Sequence, residues 1–280
     1  MVSMIIPLGL AVVMFGVGLT LTYGDFRRIA AYPAAVVIAL ACQMLVMPVV
    51  AVGIIEALGL EPEFAVGLML LAASPGGPIA NLYSYLAGGD VALSITLTAV
   101  NSILSIVIFP LIVGLAVRFF LGKTEIIPLQ TAKTFATMAI VIVPVLLGTS
   151  LRSHRIALAS TIAPWVKGLS VVFLAGITVQ VLYTQADELR SSLTVIGAAA
   201  LFSALSLAVG FLASRSAQLQ PNQAIAISFE VGVHNTGLAV SLALSPLMYH
   251  NPRMSVPPTL CGLFSLILAC GLAIALRRKR

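Results

Sequence analysis

The chain has 280 residues, of which 60% are hydrophobic and only 9% charged, against roughly 25% charged in a soluble domain. That excludes a water-soluble globular protein, and it leaves the formal net charge of +6 to loops and tail rather than to a nucleic-acid surface. Long apolar runs divided by short polar breaks, without the ten-residue alternation of barrel strands, read as an all-α polytopic membrane protein.

In chain order the runs predict helices near 4–22, 33–56, 64–87, 91–119, 131–150, 163–184, 192–214, 222–247 and 257–276. These are about nine transmembrane helices in a single domain, 1–280. The first run has neither the basic flank nor the small-residue cleavage site of a signal peptide and reads as a retained helix. Cys42, Cys261 and Cys270 lie inside apolar runs and read as buried small hydrophobes, while His154, His234 and His250 are too scattered for a metal cluster. No cofactor is expected. If the tail Arg277-Arg278-Lys279-Arg280 is cytoplasmic, that side also carries Arg27, Arg28, Arg152, Arg155, Lys167 and Arg215, ten of the 15 basic residues. The opposite side then holds Arg118, Lys123, Lys133, Arg190 and Arg253, together with Glu56, Glu61, Glu63, Glu125, Asp187 and Glu188. Because Lys and Arg set orientation, the amino terminus is predicted outside and the carboxyl terminus in the cytoplasm.

Two runs are poor plain helices. The third contains Ser74-Pro75-Gly76-Gly77-Pro78-Ile79-Ala80-Asn81, where proline removes donors and glycine opens other conformations, so a local break is expected. In lipid such a break is tolerated where protein buries it or where it lines a cavity. The eighth run carries Phe229-Glu230-Val231-Gly232-Val233-His234-Asn235-Thr236-Gly237. An ionisable group at mid-membrane costs at least about 2.5–3.5 kcal/mol, which makes Glu230 the first functional candidate, with a structural interhelical hydrogen bond as the alternative. Two interrupted spans in corresponding places of the two halves point to a secondary transporter with its site where the breaks meet. Amino-terminal helix ends suit an anion, and unwound carbonyls and carboxyl-terminal ends suit a cation.

In the fourth run Ser94, Thr98, Asn101, Ser102 and Ser105 fall largely on one helical face. Helix packing accounts for such a stripe; so does a small hard cation held by the oxygens of Asn81 and Glu230. Gln43, a mid-helix amide, has the same two readings.

Four stretches in sequence carry a resemblance: Met14-Phe15-Gly16-Val17-Gly18-Leu19-Thr20, Ser74-Pro75-Gly76-Gly77 leading to Asn81, Gly89-Asp90 followed by Ala92-Leu93-Ser94-Ile95-Thr96-Leu97-Thr98, and Glu230-Val231-Gly232-Val233-His234-Asn235. From about residue 7 to residue 250 the chain resembles the bile acid:sodium symporter family. The resemblance implies inverted repeats of four and five helices, panel and core subdomains, two crossing discontinuous helices and two sodium ions beside the crossing. It implies a first sodium site at Asn81, Ser94, Thr98 and Glu230, and a second at Gln43 and Glu230, with carbonyls near Val231 and Val233 and the side chain at His234. It also implies a small organic anion bound near Gly77, Pro78, Ile79, Asn235 and Thr236, a carboxylate such as a pantothenate precursor, a pyruvate-like or a bile-acid-like anion. The chain departs from the family pattern at three positions. Ala80 stands where relatives often have serine, Pro78 where they often have threonine, and His234 where they have glutamine. The last helix offers few polar residues besides Ser265.

The expected function is therefore sodium-coupled symport of an organic anion by alternating access, in a bacterial inner membrane, with lipid around the helices. Proton coupling in the same fold is the alternative. An intramembrane enzyme lacks an H-E-x-x-H motif, a nucleophile with a paired base and a second membrane-centred carboxylate. A passive channel and an arsenite permease using Cys42 are further rivals.

Overall fold

In the computed structural model, which describes residues 2–22, 24, 28–122, 131–186, 192–246 and 248–277, regular structure is helical and the only strand-like feature among these residues is one isolated bridge. The helices are α1 (Val2–Gly18), α2 (Pro33–Leu58), α3 (Pro62–Ala72), α4 (Pro78–Ala87), α5 (Val91–Leu121), α6 (Thr131–His154), α7 (Ile156–Thr184), α8 (Leu193–Ser216), α9 (Pro221–Gly232), α10 (Thr236–Leu244) and α11 (Val256–Arg277). A 3₁₀ turn at Arg253–Ser255 leads into α11. Among the described residues, five helices are long and apolar enough to cross a bilayer: α2, α5, α7, α8 and α11 with its leading turn.

The predicted third run is two helices, α3 and α4, and the predicted eighth is α9 and α10. Helix α7 begins at Ile156 rather than near 163, because Pro164 is carried inside the helix instead of starting it. Helix α2 holds a feature that periodicity does not reveal, a π-helical turn over Cys42–Val46 closed by Met47 N–H to the Cys42 carbonyl. Pro48 follows, and a proline ring clashes with the carbonyl four residues back. Widening the preceding turn relieves that clash and turns Gln43 into the interior, where it is 3% exposed.

One group of helices, α1, α6 and α7, packs on itself through small residues. A methyl on Gly148 would meet the Phe15 carbonyl at 2.5 Å and the Leu19 nitrogen at 2.8 Å, so α1 and α6 touch backbone to backbone. The remaining helices surround α3, α4, α9 and α10, with α8 on α9 and α11 on α4 and α8. The groups meet where a methyl on Gly237 would press on Leu174 of α7. Cys42 and Cys261 are buried as expected, but Cys270 is exposed on the outer face of α11, where an apolar run faces surroundings rather than core. At one end Arg253 bonds Glu61 at 2.6 Å and stacks over Phe64 at 4.7 Å. Of the residues predicted on that side, Arg253, Glu61 and Glu63 lie together. Arg27, Lys123, Glu125, Asp187, Glu188, Arg190, Arg278, Lys279 and Arg280 lie outside the described residues.

Candidate functional site

The two breaks meet and complete each other. Gly77 N–H donates to the Val233 carbonyl at 2.8 Å and Asn235 N–H to the Pro75 carbonyl at 2.8 Å, an antiparallel bridge between Gly76 and His234. Backbone groups released by each interruption find partners in the other, which is what an apolar surrounding demands. The approach is close enough to require glycine. A β-carbon on Gly76 would run into the Glu230 carboxylate and lie 2.8 Å from the Glu230 carbonyl.

Around this crossing acceptor oxygens outnumber the donors. Glu230, 1% exposed in the last turn of α9, accepts at Oε2 from the Thr98 hydroxyl at 2.8 Å, while Oε1 has no partner. Asn81 Oδ1 accepts from Ser94 at 2.7 Å and lies 3.3 Å from Thr98 Oγ1. Thr98 also lies 3.1 Å from the Ser94 carbonyl. A hydroxyl has one proton, so Thr98 serves one of these three acceptors at a time. Gln43 Nε2 donates to the Ser74 carbonyl at 2.8 Å, leaving Oε1 buried and unpartnered. Buried oxygens without donors are costly, and hard oxygen ligands suit a small hard cation.

The structure brings Asn81, Ser94, Thr98 and Glu230 into one connected cluster. Gln43 and Glu230 each keep a bare oxygen, Val231 is fully buried, and the Val233 carbonyl already accepts from Gly77. His234 differs from these. Its ring stacks obliquely on Phe202 at 5.2 Å, its Nε2 has no partner, and it lines a narrow cleft with Leu71, Ser203, Thr236, Cys261 and Ser265.

At the expected anion site most backbone donors are already engaged. Gly77 and Asn235 give theirs to the crossing, Thr236 N–H goes to the His234 carbonyl at 2.9 Å, and Pro78, as a proline, has none. Asn235 Oδ1 caps Leu238 N–H at 3.0 Å. Among the described residues the amides of Ile79 and Gly237 keep no partner at the two helix starts. Sequence reasoning named Ile79 and missed Gly237, which follows the capping Asn235 by two residues. It also missed Gly76 as the seat of Glu230, and it left Ser203 and Cys261 unconnected with the site.

A helical membrane protein whose broken helices cross beside a buried carboxylate has the architecture of a secondary transporter. The sodium bile acid symporter family model matches residues 7–192, and the chain belongs to that family. It is a sodium symporter in class. It is 29% identical over 260 residues to a sodium-dependent transporter of Bacillus subtilis, covering 91% of this chain and 78% of that protein. It is 30% identical over 272 residues to a chloroplast protein of Arabidopsis thaliana named a probable sodium/metabolite cotransporter, covering 97% of this chain and 66% of that one. To the human ileal sodium/bile acid cotransporter it is 26% identical over 250 residues, 87% of this chain and 71% of that protein. The chain is thus shorter than each of these relatives, spanning about two thirds of the plant protein.

Proposed function

We propose that this chain carries a small monoanionic organic acid across a membrane together with sodium, by alternating access around the crossing. The observation that carries the reading is the pair of bare buried oxygens on Glu230 and Gln43, with the half-buried Asn81 Oδ1 joined to Glu230 through Thr98. In the proposed first site Asn81, Ser94, Thr98 and Glu230 hold one sodium ion. The second uses Gln43, Glu230 and the carbonyls of Val231 and Val233. His234 supports that second site from its edge rather than as a ligand, since its ring lines the cleft toward α8 and α11. The anion sits where the amides of Ile79 and Gly237 start their helices, with Thr236 beside them, and positive helix ends favour it there.

In this reading the nine predicted spans form inverted repeats of four and five helices. Helices α1, α6 and α7 form the panel, and the others form the core that rocks against it. Trp165 and Tyr183, both strongly exposed on α7, are 18 residues apart, about 27 Å along a helix. That separation suits two aromatic belts at the membrane boundaries. The count of Lys and Arg supports an outside amino terminus and a cytoplasmic carboxyl terminus.

Linkage requires that sodium and anion strengthen each other's binding if both select one state. The test is thermal unfolding of the purified protein in detergent with sodium or potassium at equal ionic strength and fixed pH, followed by uptake into proteoliposomes. A cation at 100 times its dissociation constant stabilises the native state by about 2.7 kcal/mol. A sodium-specific rise in Tm that vanishes in Glu230→Gln, with sodium-driven anion uptake lost as well, is expected. Sodium-dependent uptake retained in full by that variant would remove Glu230 from its role. Uptake driven by a pH gradient, without sodium, would favour proton coupling, for which the unpartnered Nε2 of His234 is the relevant observation.

A further inference from the structure

Among the buried acceptors without a partner that lie outside both proposed sodium sites, Asn101 Oδ1 is the one on the helix face that carries Ser94 and Thr98. On α5 the residues Ser94, Thr98 and Asn101 follow one another at spacings of four and three, so they share a helical face. Ser94 and Thr98 reach Asn81 and Glu230. Asn101, 2% exposed, comes one turn further along the same face from Thr98, whose hydroxyl bonds the Glu230 carboxylate. Its Oδ1 is buried and has no hydrogen-bond partner. The other polar residues of the stripe differ. Ser102 gives its hydroxyl to the Thr98 carbonyl at 2.7 Å and Ser105 gives its own to the Ser102 carbonyl at 2.9 Å, so both are satisfied within α5.

A carboxamide beside a carboxylate has two useful orientations. Without a cation, its nitrogen is the end that attracts Glu230. With a cation against Glu230, a half-turn of the amide brings the oxygen to the metal and removes the unsatisfied acceptor. We propose that Asn101 Oδ1 is a ligand of the cation held by Glu230, Asn81, Ser94 and Thr98, extending that site by one turn along α5. The ligand is a small monovalent cation recognised by neutral carbonyl and hydroxyl oxygens around a single carboxylate. Ala80, beside Asn81, contributes no side-chain oxygen, so an added donor from α5 enlarges an otherwise sparse ligand set. This inference rests on the sodium reading given above.

The experiment is a sodium titration of thermal stability in detergent, with potassium replacing sodium at constant ionic strength, for the wild type, Asn101→Ala, Asn101→Leu and Ser102→Ala. The expected result is a midpoint at least tenfold higher for both Asn101 variants, an unchanged midpoint for Ser102→Ala, and similar Tm values in potassium. Asn101→Leu preserves volume without the amide, so it keeps the test open if the alanine variant does not fold. Equal midpoints for the wild type and a folded Asn101 variant overturn the inference while leaving sodium binding in place. A wild type without any sodium-specific response overturns the sodium reading, and this inference with it.

Discussion

The two breaks at the centre of the protein are made in different ways. The first, between α3 and α4, is local chemistry. Pro75 and Pro78 lack amide protons, and Gly76 and Gly77 admit the close approach. The second, between α9 and α10, contains neither proline nor glycine. Val233, His234 and Asn235 leave the helix with φ of −115° at Val233 and −78° at Asn235, ordinary values for any residue. What holds it open is the other break, which takes the Asn235 amide and supplies the Gly77 donor. The asymmetry places the chemistry as well. The tertiary break carries the ionisable residues, and the local one supplies the space for them.

If that division of labour is right, the largest effect follows from filling the space. Gly76→Ala puts a methyl into the Glu230 carboxylate and against its backbone carbonyl, and the carbonyl cannot rotate away. Overpacking costs about 1–3 kcal/mol, and the expected outcome is a lower Tm in potassium together with loss of the sodium-specific rise. A variant that keeps both would show that the crossing has slack there. Next comes Gln43→Leu, which removes the bond to the Ser74 carbonyl and one bare oxygen from the proposed second sodium site. A typical lost hydrogen bond is worth roughly 0.5–1.5 kcal/mol. Sodium affinity should fall more than stability in potassium does, and equal falls would make Gln43 a packing residue.

How much of this was readable from the chain follows the same division. The first break is visible because proline and glycine act on the backbone at their own positions. Glu230 is visible because a carboxylate in an apolar run has few innocent explanations. Asn81 and Glu230 could be read as cation-holding partners for the polar face of α5 beside the packing alternative, but the particular set with Ser94 and Thr98 came by resemblance, since no periodicity within α5 says what its polar face meets. The π turn of α2 stayed hidden because Pro48 acts on the preceding turn, and the outcome depends on which face is buried. The free amides of Ile79 and Gly237 were hidden for a related reason. Which donors remain depends on what the crossing consumes, and that is a property of two segments together.

A smaller effect tests the tertiary break at its cap. Asn235 Oδ1 accepts from Leu238 N–H at 3.0 Å, and its backbone amide binds the Pro75 carbonyl. Asn235→Ala removes the first bond and keeps the second. Loss of such a cap costs about 1 kcal/mol, so the Tm should fall modestly in sodium and potassium alike. The sharper consequence concerns the anion, because a freed Leu238 amide changes the donors beside Gly237. Transport should show a higher KM for substrate with the sodium midpoint unchanged, and an altered sodium midpoint would tie the cap to the cation instead.

The smallest effect is expected where the local signal is loudest. Pro75→Ala leaves the carbonyl that accepts from Asn235 in place and adds an amide proton whose helical acceptor, the Leu71 carbonyl, already takes the Ser74 amide and hydroxyl at 2.9 and 2.7 Å. Extending α3 through residue 75 would therefore need a crowded acceptor, and extending it further would break the bonds from Gly77 and Asn235. The remaining cost is the added freedom of the unfolded chain, about 0.4–1 kcal/mol. Tm should drop slightly and equally in both salts, with sodium affinity kept. Loss of the sodium response in this variant would mean that the proline, rather than the crossing, keeps the first break open, and the two breaks would then be independent structures that happen to touch.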